Sequence, residues 1–283
     1  MFEGFEEDTF DLGDSRVFAR WGGSGPPVVL LHGHPRTSST WHRVAPLVVD
    51  AGFTVVCPDL RGYGRSSGPA TTADHAPYSK RAMAGDILGL MDRLGHERFH
   101  LVGHDRGSYV ALRLALDSPS RVERLVLMDC IPISEHLENL TPEFATEWFH
   151  WFFFAQSHVP ERVITADPEA WYGADPNSMG AENHAEWLNA VRNPATVHAM
   201  LEDYRAGLTV DRADELRDRS SGRRVEPPLL VLQASEENLH ADVAKVWGRW
   251  ATDVRHAVIE SGHHSAEEAP EPLSRAIVEF LRA

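Results

Sequence analysis

At 283 residues, with 42% hydrophobic and 24% charged residues, the chain can bury a sizeable core and has the make-up of an ordinary globular protein, which excludes a disordered chain. Its formal net charge of -15 argues against nucleic acid or an anionic membrane as partner, since no run of Lys and Arg offers a local exception. Two cysteines, Cys57 and Cys130, without Cys-x-x-Cys spacing, suggest neither a disulfide framework nor a zinc site and make the cytoplasm the default compartment.

Residues 1–14 are acidic with scattered phenylalanines and carry no basic n-region or apolar h-region, so no export signal is expected, and no apolar stretch approaches a membrane span. Strands are predicted over 17–21 and 28–32, joined by the turn-rich Gly22-Gly23-Ser24-Gly25-Pro26-Pro27 as a hairpin. The second is almost wholly apolar, as a buried central strand should be, and runs into His32-Gly33-His34-Pro35. Ser39 or Thr40 then reads as the N-cap of a helix over 41–49. A strand over 53–58, a glycine-punctuated loop over 59–66 and an amphipathic helix over 79–94 follow.

The apolar run 99–102 ends in Gly103-His104-Asp105-Arg106-Gly107, and a helical run follows over 108–117. Another apolar strand, 122–128, closes on Asp129. From 131 to 221 the β pattern stops: the stretch is rich in Trp and Phe, broken by prolines, and reads as short helices including 141–156, 181–193 and 195–205. Strand pattern returns at 229–234 and 255–259 after a charged link over 217–228, and a helix over 271–282 closes the chain. The prediction is an α/β protein: a mostly parallel, doubly wound sheet formed by 1–130 and 222–283, with a helical cap inserted over 131–221. Such sheets bind ligands beyond the carboxyl ends of their strands, where His34, Asp105 and Asp129 all fall.

Gly-x-Asp-x-Gly between a strand and a helix has the form of a nucleophile elbow, in which a strained turn exposes one side chain at the top of a sheet. Serine is the usual residue there, and aspartate changes the chemistry. A serine that displaced a group from a saturated carbon would end as an inert ether, whereas an aspartyl ester can be opened by water at its acyl carbon. The expected reaction is displacement of halide or epoxide oxygen at carbon. The second step needs a base to activate water, and His263, directly after Ser261-Gly262 and the last predicted strand, is the candidate. Asp129 is the candidate acid to orient that imidazole, with Glu236, Glu237 and Asp242 as rivals after the 229–234 strand. The backbone N–H groups of His34 and Arg106 are the expected oxyanion donors. No metal or organic cofactor is implied, because side chains and water suffice for this route.

At this point the sequence resembles the α/β-hydrolase superfamily over nearly its whole length and, within it, the haloacetate and fluoroacetate dehalogenases. The likeness lies in His-Gly-x-Pro followed by Trp41-His42-Arg43-Val44-Ala45-Pro46, in Asp59-Leu60-Arg61-Gly62-Tyr63-Gly64, in the elbow, and in Asp203-Tyr204-Arg205-Ala206-Gly207. It implies the α/β-hydrolase fold, with Asp105 as nucleophile, Asp129 as acid, His263 as base and Arg106 as a ligand for a substrate carboxylate. It further implies a halide pocket of His150, Trp151 and Tyr204, and a homodimer through cap surfaces. The fluoroacetate group carries a second arginine three residues after the first; Tyr109 stands there in this chain, and Arg36 is the candidate stand-in.

The expected function is a hydrolytic dehalogenase of a short 2-haloacid, a small-molecule substrate. An epoxide hydrolase with Tyr172 and Tyr204 as acids is the alternative, and a non-catalytic binding module of the same fold is a third reading.

Overall fold

The computed structural model describes all 283 residues. Eight strands form one sheet in the order β1-β2-β4-β3-β5-β6-β7-β8, with β1 (Glu6–Asp11), β2 (Arg16–Gly23), β3 (Pro27–Leu31), β4 (Thr54–Pro58), β5 (Phe99–His104), β6 (Val122–Met128), β7 (Leu229–Ala234) and β8 (Val254–Ile259). The β1–β2 and β2–β4 pairs are antiparallel and every other pair is parallel.

The central strands are apolar on both faces, and successive residues feed opposite cores. Val29, Leu31, Leu101, Leu125, Leu127 and Val231 pack on one side. There they meet α2 (Lys80–Arg93), α3 (Arg106–Asp117) and α13 (Val243–Trp250). Val28, Leu30, Val102, Val126 and Leu230 pack on the other, against α1 (Val44–Asp50) and α15 (Pro270–Arg282). Between β6 and β7 the chain is helical: α4 (Ile133–Glu138), α5 (Pro142–Glu147), α6 (His150–Phe154), α7 (Val159–Ala166), α8 (Pro168–Tyr172), α9 (Pro176–Met179), α10 (Ala181–Val191), α11 (Pro194–Ala206) and α12 (Arg212–Ser221). A wider helical turn, Gly207–Asp211, joins the last two, and the short α14 (Ser265–Glu268) precedes α15. No helix is long and apolar enough to cross a membrane.

Several local expectations need correction. The strands flanking the 22–27 link do not pair with each other: β2 lies between β1 and β4, while β3 inserts between β4 and β5. Parallel pairing in the buried centre thus overrides the hairpin that a short, turn-rich link suggests. Thr37, not Ser39 or Thr40, caps the next element by accepting from Ser39 N, and a tight turn over Ser38–Arg43 precedes α1. The 141–156 helix breaks at Trp148, whose ring packs 4.8 Å from that of His136 and 5.3 Å from that of Phe144.

Candidate active site

Asp105 sits between β5 and α3 at φ 50° and ψ -119°, a left-handed-side conformation that a non-glycine residue adopts only when its surroundings hold it there. Those surroundings are tight. A Cβ on Gly107 would lie 2.5 Å from the His32 carbonyl oxygen, so glycine is what lets the start of α3 abut the end of β3. The turn presents the carboxylate to the loop after β3, where the backbone N–H of His34 donates to Oδ1 at 2.6 Å. The Arg106 backbone N–H also acts on the same carboxylate, favouring its charged form. Burial alone would raise the Asp105 pKa, but His263, His104, Arg106 and this N–H outweigh it and hold the group below the usual carboxylate range.

His263 follows β8 and lines the same pocket as Asp105. Its Nδ1 lies 3.3 Å from Glu237 Oε2, an ion-pair contact too poorly aligned to satisfy the nitrogen as a hydrogen bond. Burial would lower the pKa of His263, yet Glu237, Asp105 and Asp129 prevail and raise it to about 9. Asp129, just past β6 at φ 52°, accepts the Ala234 N–H on Oδ1 at 2.7 Å and keeps Oδ2 buried without a hydrogen bond. That oxygen stands 3.6 Å from His104 Nε2, itself unpartnered. His104, Asp129 and His263 bring one nitrogen or oxygen each within 4.8 Å of one another, a spacing that fits either a metal ion or an acid–base relay. Asp129 and Glu237 thus both face His263, whereas Glu236 and Asp242 do not line the pocket.

The pocket encloses about 420 Å³, with Asp105, His34, His263, His264 and Glu237 on one side and a helical wall of His150, Trp151, Phe154, Trp171, Tyr172 and Tyr204 on the other. Burial lowers His150 to about 4, so at neutral pH it is an uncharged N–H donor. Burial also pushes the Tyr204 and Tyr172 hydroxyls up, keeping both protonated, and that of Tyr172 has no hydrogen-bond partner. The His34 ring lies edge-on between them, 5.3 Å from the Tyr172 ring and 5.1 Å from that of Tyr204.

Arg106 is buried behind this wall, its guanidinium carbon 4.1 Å from the Tyr204 ring centroid. Asp203 occupies two of its edges: Nε donates to Oδ2 at 3.1 Å, and Nη2 to Oδ1 at 2.9 Å and to the backbone oxygen at 2.8 Å. The expectation that Arg36 joins a substrate clamp is corrected: its Nε and Nη2 bond both oxygens of Glu267, at 3.0 and 3.1 Å, and it lines no part of the pocket. Arg36 is thus held by Glu267, away from the cavity. Tyr109 is buried as well, 6.1 Å ring to ring from Trp151, and packs behind the wall without lining the cavity.

The family model described as alpha/beta hydrolase fold matches residues 26–270. The chain belongs to the α/β-hydrolase fold family. Among its relatives in that family is a fluoroacetate dehalogenase of Burkholderia sp, 42% identical over 99% of this chain and 95% of the relative. A soluble epoxide hydrolase of Corynebacterium sp. (strain C12) is 30% identical over 92% of this chain and 91% of its own. The crystal structure of ALR0039 from Nostoc sp PCC 7120 matches at a TM-score of 0.96 with 40% identity, covering 99% of each chain.

In this hydrolase, sequence reasoning overlooked several participants. His104 adjoins Asp105, and its neighbourhood to the elbow was the signal available. Glu147, Trp148, Phe149, Phe154 and Trp171 also line the pocket, and nothing in the local pattern separates these wall residues from the core.

Proposed function

We propose that the chain is a hydrolase of carbon–halogen bonds that acts on a short 2-haloacid and yields the 2-hydroxy acid and halide. The observation that carries this reading is an ionised carboxylate at the elbow, held by the His34 backbone N–H and facing neutral donors across the pocket. An Asp105 oxygen attacks the halogen-bearing carbon as the carbon–halogen bond breaks, and the halide departs toward His150, Trp151 and Tyr204. Water, giving a proton to His263, then attacks Cγ of the ester. The tetrahedral oxyanion meets the N–H groups of His34 and Arg106; its collapse expels the alkoxide, which takes the proton from His263 and leaves as the hydroxy acid, while Asp105 loses its own proton to water. Esterification removes one of the negative charges that raise His263, so the base becomes easier to deprotonate as the second step begins. The 42% sequence identity to a fluoroacetate dehalogenase supports the same chemistry.

The test is halide release from chloroacetate and fluoroacetate, compared with diol release from styrene oxide. A His263→Ala variant incubated with a proven substrate should accumulate an alkylated Asp105, seen as a mass increase on the elbow peptide; an unmodified peptide counts against the covalent route. One observation favours epoxide hydrolysis as a second reading: the unpartnered Tyr172 hydroxyl shares the pocket with Tyr204, giving two protonated phenols opposite the carboxylate. Diol without halide would decide for it, and silence on both substrate classes would favour a binding module.

A further inference from the structure

Arg106 does not offer the pocket a bare positive charge, because Asp203 takes Nε and Nη2 and leaves only Nη1 without a protein acceptor. Asp203 is itself shared. Lys80, the first residue of α2, pairs through Nζ with Asp203 Oδ1, and the Tyr63 hydroxyl donates to Oδ2 at 2.7 Å. Lys80 Nζ also stands 3.7 Å from Asp211 Oδ2, an oxygen without a hydrogen bond, while Asp211 Oδ1 accepts the Lys80 backbone N–H at 2.8 Å. Lys80, Asp203 and Asp211 are all buried, and none lines the substrate cavity.

The charges decide what Arg106 can do. With Lys80 protonated, Lys80 and Arg106 balance Asp203 and Asp211, leaving only the Asp105 nucleophile uncompensated nearby. Without that proton, Asp203 and Asp211 outnumber Arg106, and a net negative charge sits behind the pocket wall, where Arg106 does not line the cavity and acts on a ligand only through its field. At an effective dielectric of about 20, loss of one buried unit charge behind the site changes anion binding by roughly tenfold or more.

We propose that Lys80 is a positioning residue that sets the pocket's preference for anionic substrates, by drawing on Asp203 so that Arg106 keeps a positive field for a ligand carboxylate. This rests on the haloacid reading and names the charge that makes a carboxylate welcome. Burial, then Arg106, lowers Lys80 to about 7, against Asp211 and Asp105. The groups facing it are Asp203 on α11, Asp211 on the wider turn, Arg106 on α3, Asp105 at the elbow and the neutral Tyr63. A bound anion offsets Arg106, so ligand binding and protonation of Lys80 reinforce each other.

The experiment titrates glycolate and its neutral counterpart glycolamide into the full-length protein, with binding read from the fluorescence of the pocket tryptophans. Lys80→Met should weaken glycolate about tenfold or more while glycolamide stays within about twofold, and Lys80→Arg should restore glycolate. Asp203→Asn, which keeps an acceptor for Arg106 and removes the opposing charge, should move glycolate the other way, toward tighter binding. Parallel weakening of both ligands in Lys80→Met, no change in glycolate, or failure of Lys80→Arg to rescue would each overturn the proposal. If Lys80→Met does not fold, absence of tightening in Asp203→Asn overturns it. Halide release from chloroacetate by the unaltered protein is measured separately: its absence, with the glycolate preference intact, sinks the haloacid reading alone.

Discussion

Glu237 and Asp129 face one imidazole from two directions, and the pH at which His263 becomes a base depends on both. On the proposed route the base acts as neutral imidazole; its pKa is raised to about 9 while Asp105 is ionised and falls when Asp105 is esterified, so hydrolysis of the ester should speed up as pH rises, with a midpoint below that of the free protein. Removing the Glu237 charge lowers the pKa, so Glu237→Gln should shift the limb of a single-turnover pH–rate profile toward acid. An unchanged limb would mean that Glu237 does not hold the proton on His263. Asp105, His263 and both carboxylates were legible in the sequence, because each follows a strand that apolar pattern makes visible. What Arg36 does was not legible: its partner Glu267 is 231 residues away, and no local spacing shows that the guanidinium is already taken.

Among elements, the elbow depends on how closely α3 approaches β3. Gly107→Ala would place a Cβ at 2.5 Å from His32 O and 2.6 Å from Leu31 O, both rigid backbone atoms of the β3 end. The helix must retreat, at a cost of about 1–3 kcal/mol or more, and the His34 N–H moves away from Asp105 with the loop. A lower denaturation midpoint together with lost turnover is expected; full stability would show that the contact is relieved elsewhere. The strands of the central sheet were readable because burial on both faces makes them continuously apolar. By contrast β1, with the sequence Glu-Glu-Asp-Thr-Phe-Asp, is an exposed edge strand with no apolar alternation to mark it. Helix α13 escaped notice for another reason: Gly248 interrupts its pattern, although Val243, Val246, Trp247 and Trp250 form one buried face. The supposed β2–β3 hairpin shows the limit of local rules, since only the whole sheet's order reveals that β4 is the neighbour of both.

Across the molecule, the helices between β6 and β7 are tied to the sheet unevenly. α11 is pinned by buried bonds from Asp203 to Arg106, Tyr63 and Lys80, and Asp211 just beyond it holds the Lys80 N–H. α10 is anchored through Asn183 to Ser39 and Glu267. α5 and α6 have no such ties: a Glu147–His240 contact of 2.7 Å spans the rim, Phe149 is 52% exposed, and ring packing supplies most of the rest. Two helices of six and five residues have little stability of their own, so they should open without disturbing the remainder. Hydrogen exchange should therefore label residues 142–154 well before 194–211 under native conditions. His150 and Trp151 lie in the first segment and Tyr204 in the second, so such opening would part the pocket wall and admit substrate while leaving Arg106 and its partners in register. Equal protection of the two segments would mean that the wall moves as one body, and entry would then need displacement of the pinned helices as well.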